Sequence, residues 1–133
     1  MNKKDISILF VDRTLGEQRT EDDGSLEEEI DLLKRCGYNI FTAKYSDSLD
    51  TKYDIIVAHP GWGYEAFRFK EFHTIHPKIP MIVHTYTSYF KAKFSEGYFL
   101  DGDGIILKGI DPELKYFLAL IKSISRNIRK RNK

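Results

Sequence analysis

Five short β-favouring runs, "ISILFV", "YNIFTA", "YDIIVA", "IPMIVHT" and "GIILK", punctuate the chain, and stretches of helical periodicity lie between them. Continuous apolar strands lose water on both faces, and strands separated by helices pair in parallel. The fold class read from this pattern is α/β, a parallel sheet with helices on both sides. With 133 residues, 41% of them hydrophobic, the chain can bury one core and is too apolar for disorder. No repeat, low-complexity tract or linker divides it, so residues 1–133 read as a single domain.

Helix signals support the alternation. Ser25 is a candidate N-cap, and Glu28 completes a capping box. Glu27 to Glu29 fall where the helix dipole favours negative charge. Leu26, Ile30, Leu32 and Leu33 form an apolar stripe, and Gly37 follows as a stop. "YEAFRFKEFHTI" and "SYFKAKFSEGYF" read as helices, and "DPELKYFLALIKSISRNIRKRNK" as a long amphipathic one, capped by Asp111 with Pro112 and Glu113 in its first turn. Only "KYSDSLDTKY" separates Ala43 from Asp54, so the second helix should be short or irregular. Five βα units of this size match a flavodoxin-like three-layer sandwich, with a five-stranded sheet in the order 2-1-3-4-5.

Composition narrows the function classes. A net charge of +1 gives no global reason to expect nucleic acid, and the basic "RNIRKRNK" reads as a solvated helix end. Cys36 is the single cysteine, so no internal disulfide can form. "ISILFV" is shorter than a signal-peptide core and is ended by Asp12. No apolar run approaches the ~20 residues of a membrane span. A cytoplasmic protein is expected.

Ligands of open α/β sheets bind outside the carboxyl ends of the strands. Those ends carry Asp12 and Arg13, His59, Thr85 and Lys108. This set resembles the receiver domain of bacterial two-component response regulators over nearly the whole chain. "ILFVDR" is similar to the family's first strand, with Asp12 kept and Arg13 in place of a second acid. "YDIIVAH" is similar to its third strand, with His59 where the phosphorylated aspartate stands. Thr85 matches the switch Thr/Ser, and Lys108 the family's lysine, although Gly109 replaces the usual proline.

The resemblance implies phosphoryl transfer to a carboxylate beside Mg²⁺, a hard ion that wants oxygen donors in octahedral geometry. Here an imidazole and a guanidinium replace two of three anionic ligands. The pocket is therefore expected to hold no metal or cofactor, to carry no phosphate on His59, and to be no enzyme. Asp12 is expected to pair with Arg13 or Lys108. His73 and His76 have helix-compatible spacing for zinc, yet they precede the fourth strand, at the opposite end of the sheet from His59.

Trp62 in "HPGWG" reads either as an exposed contact residue or as a cover for the pocket. Tyr86, Tyr89, Phe90 and Phe94 are too dense to all point inward. In receivers the fourth helix, fifth strand and last helix form the signalling surface, so a protein partner or a homodimer is expected there. The function read from the sequence is a stand-alone, degenerate receiver that signals by protein contact. The alternative is a small-molecule or nucleotide sensor using the same pocket. A hydrolase or transferase with His59 as base lacks a recognisable nucleophile.

Overall fold

The computed structural model describes residues 6–13, 26–59, 64–85, 104–107 and 115–131. Strands β1 (Ser7–Val11), β2 (Asn39–Ala43), β3 (Ile55–Ala58), β4 (Met81–Thr85) and β5 (Gly104–Leu107) lie in the order β2-β1-β3-β4-β5, every pair parallel. The α/β class and the order β2-β1-β3-β4 agree with the reading of the sequence. At the far edge, Ile82 pairs with Gly104 and Thr85 with Leu107.

Helices α1 (Leu26–Arg35), α2 (Tyr64–Ile75) and α3 (Lys115–Arg131) flank the sheet. The crossover between β2 and β3 contains a single 3-10 turn, Ser46–Ser48. Ten residues cannot supply a full helix with two loops, and the short element expected there is what forms. The candidate caps Ser25 and Asp111 with Pro112 and Glu113, and the helix expected at "SYFKAKFSEGYF", fall outside the described residues.

Strand side chains alternate between faces, so each apolar strand feeds two cores. Ile8, Phe10, Ile55, Val57 and Ile82 pack on one face with Ile30 and Leu33 of α1 and with Phe117, Ile121, Ile124 and Ile128 of α3. Leu9, Val11, Ile56, Ala58, Met81 and Val83 pack on the other with Phe69 of α2. The first face is thus sealed by two helices. The second relies, among the described elements, on α2 and the residues around the 3-10 turn.

Three local devices hold the frame. Gly37, at φ 99°, ends α1 in a left-handed conformation that suits a residue without Cβ. Its amide donates to Lys34 O at 3.0 Å and the Tyr38 amide to Leu33 O at 3.1 Å, the paired bonds of a Schellman cap. The buried Ser125 hydroxyl lies 2.7 Å from Ile121 O and 3.1 Å from the Tyr38 hydroxyl, linking α3 to the start of β2. At the amino ends of β1 and β3, the Asp54 carboxylate accepts from the Ser7 amide at 2.8 Å and from its hydroxyl at 3.2 Å. No helix among the described residues is long and apolar enough to cross a membrane.

Candidate functional site at the carboxyl ends of β1 and β3

The strand order reverses between β1 and β3, since β2 lies on one side of β1 and the later strands on the other. In open α/β sheets ligands bind outside the carboxyl edge at such a reversal. Val11 is in register with both Ala58 and Ala43, so Asp12 and His59 are the next residues on adjacent strands, a spacing of about 4.8 Å between chains. The backbone fixes both: the His59 amide donates to Val11 O at 2.9 Å and the Asp12 amide to Ala43 O at 3.0 Å.

Asp12 is 2% exposed and His59 7%, while Arg13 is half-buried. None of the three is without a partner. Thr85 is the last residue of β4, in register with Leu107, the last of β5. Lys108 would follow one position further on. It lies outside the described residues, as do Trp62, Tyr86, Tyr89 and Phe90. The sheet therefore brings Asp12, Arg13 and His59 to one edge and carries the backbone of Thr85 to the same end.

Two further residues belong to this edge and were not anticipated. Ser46, in the turn after β2, is 1% exposed, and its amide donates to the Glu65 carboxylate at 2.9 Å. Glu65 stands in the first turn of α2, directly after the loop that follows His59. No motif marks either residue. Their one signal is position, Ser46 lying just past the end of β2 and Glu65 in the first turn of the helix that follows β3. The Ser46 hydroxyl is buried and has no hydrogen-bond partner among the described residues. Glu29, in the first turn of α1 as expected, is buried there.

Chemically, a carboxylate, an imidazole and a guanidinium give a hard divalent cation one anionic oxygen donor from these positions instead of three. Among the described residues, no group of three or more His, Cys, Asp or Glu could hold a metal ion. His73 lies in the last turn of α2 and His76 just after it, before β4 begins, and so at the other end of the sheet. An open cleft of about 200 Å³, lined in part by Tyr53, Asp54, Pro80 and Ile128, also lies at that amino-terminal end.

No family model matches the chain, and no curated protein and no solved structure matches it.

Proposed function

We propose that the chain is a degenerate receiver domain of flavodoxin-like layout, working in signal transduction by protein contact without aspartyl phosphorylation. One observation carries the reading: Asp12 and His59 occupy adjacent strand ends at the point where strand order reverses. A receiver keeps its acidic residue and its phosphoacceptor at those two positions. With His59 as the acceptor's replacement and Arg13 in place of the second acid, the edge lacks the charge that would hold Mg²⁺.

On this reading the domain is not an enzyme, needs no cofactor and works in the cytoplasm. The partner face is the surface of the fourth expected helix, β5 and α3, with Tyr86, Tyr89 and Phe90 at its centre and Trp62 beside the pocket. Incubation with acetyl phosphate, with and without Mg²⁺, followed by intact-mass measurement, tests it. No mass gain is expected, and a Mg²⁺-dependent phosphate mapped to this edge would overturn the reading.

A further inference from the structure

A helix lying on a sheet normally keeps its apolar residues on the inner face and polar ones outside. α2 departs from this. Ala66 and Phe69 are buried against the sheet, yet Tyr64, Phe67 and Ile75 on the opposite side are 72%, 59% and 63% exposed. At about 100° per residue, Tyr64, Phe67, Arg68, Glu71 and Ile75 fall in one arc of about 100° on the outside of the helix. The stripe runs about 16 Å along the axis at 1.5 Å per residue.

The order of residues within the stripe is self-complementary. Tyr64 and Ile75 are centred on the point between Phe69 and Lys70, and Arg68 and Glu71 are centred on that same point. We infer that α2 is a homodimer interface, pairing antiparallel with α2 of a second copy about a two-fold axis at that point. In this arrangement Tyr64 stands level with Ile75 of the second copy, and Arg68 level with Glu71 of the second copy. Phe67 fills the space between. A two-fold interface requires that residue i meet j while j meets i, and the stripe satisfies this for both an apolar and a charged pair. A parallel pairing would set Arg68 against Arg68 and Glu71 against Glu71. Within one copy, the Arg68 guanidinium already lies 5.7 Å from the Tyr64 ring centroid, so the cation is held on this face.

The inference stands apart from the receiver reading, since phosphodonor chemistry at His59 has no bearing on the outer face of α2. It also points to a different surface from the one around Tyr86 and Phe90.

Sedimentation velocity across the micromolar range tests it, with circular dichroism on every variant. The native chain should self-associate reversibly. Phe67→Glu should abolish the dimer. Arg68→Glu and Glu71→Arg should each weaken it by about tenfold or more, because like charges then stand level. Mixing those two variants in equal amounts should restore association, since each supplies the charge the other has lost. A native chain that stays monomeric throughout, or a Phe67→Glu variant that dimerises like the native chain, would overturn the proposal. Failure of the mixture to recover would overturn the antiparallel arrangement.

Discussion

The backbone amide of Ser46 donates to the Glu65 carboxylate at 2.9 Å, tying the turn after β2 to the first turn of α2 across nineteen positions of sequence. It joins two crossovers on the face that carries a single full helix among the described elements. A charged acceptor on a buried amide makes this a stronger bond than most.

Replacing Glu65 by alanine should therefore destabilise the fold by about 1–3 kcal/mol, the cost of leaving a buried donor unmatched. Glu65→Gln keeps an acceptor and should cost less. Urea denaturation followed by far-ultraviolet circular dichroism compares them. Equal midpoints for native and Glu65→Ala protein would show that water replaces the carboxylate.

Gly37 ends α1 at φ 99°. Any Cβ there meets the following carbonyl, so Gly37→Ala should cost about 1–2 kcal/mol, and Gly37→Asn less, since asparagine tolerates the left-handed region. Thermal melts of the three proteins decide the order. An alanine variant as stable as the native chain would mean that the turn relaxes to negative φ.

The hydroxyls of Tyr38 and Ser125 lie 3.1 Å apart in a buried setting. Removing one is not equivalent to removing the other. In Tyr38→Phe, Ser125 keeps Ile121 O as acceptor. In Ser125→Ala, the Tyr38 hydroxyl is left buried without this partner, so the loss should be larger, about 1–3 kcal/mol. The double variant should recover part of it, and a double-mutant cycle in urea measures how much.

The strand-end assignment can be tested by reversing the substitutions it describes. His59→Asp with Arg13→Asp sets three carboxylates at the ends of β1 and β3. This variant should bind Mg²⁺ more tightly than the native chain, read through Trp62, the single tryptophan. Mutual repulsion should lower its stability in the absence of metal. A folded double variant that binds Mg²⁺ no better than the native chain would show that these residues do not converge.

Much of the sheet was legible because its strands bury both faces. The runs around Ile8, Ile56 and Ile82, separated by helical stretches, read as covered parallel strands, and the brevity of "KYSDSLDTKY" foretold a short element in that crossover. Asp12 and His59 were legible for the same reason, since each ends such a run. Ser46, Glu65 and Glu29 were not. The burial of Ser46 and Glu29, and the bond from the Ser46 amide to the half-buried Glu65, come from the turn after β2 folding back toward α2 and from the face that α1 turns inward, neither of which leaves a periodic trace. The outer stripe of α2 was present in "YEAFRFKEFHTI", whose helical periodicity was legible, but which of its apolar residues face the sheet emerges only from the burial of Ala66 and Phe69.

The rings of Phe10 and Phe117 meet at 6.0 Å, and Ile121, Ile124 and Ile128 share a core with Ile6 and Ile8. Strand β1 is thus covered in part by α3, a helix that follows all five strands in sequence. A nascent chain holding everything up to β5 has only α1 to cover the face that α1 and α3 share, and that core cannot close until α3 has emerged. Translation speed over the codons of α3, and any chaperone that shields the waiting strands, therefore bear on the yield of this domain more than on its final stability.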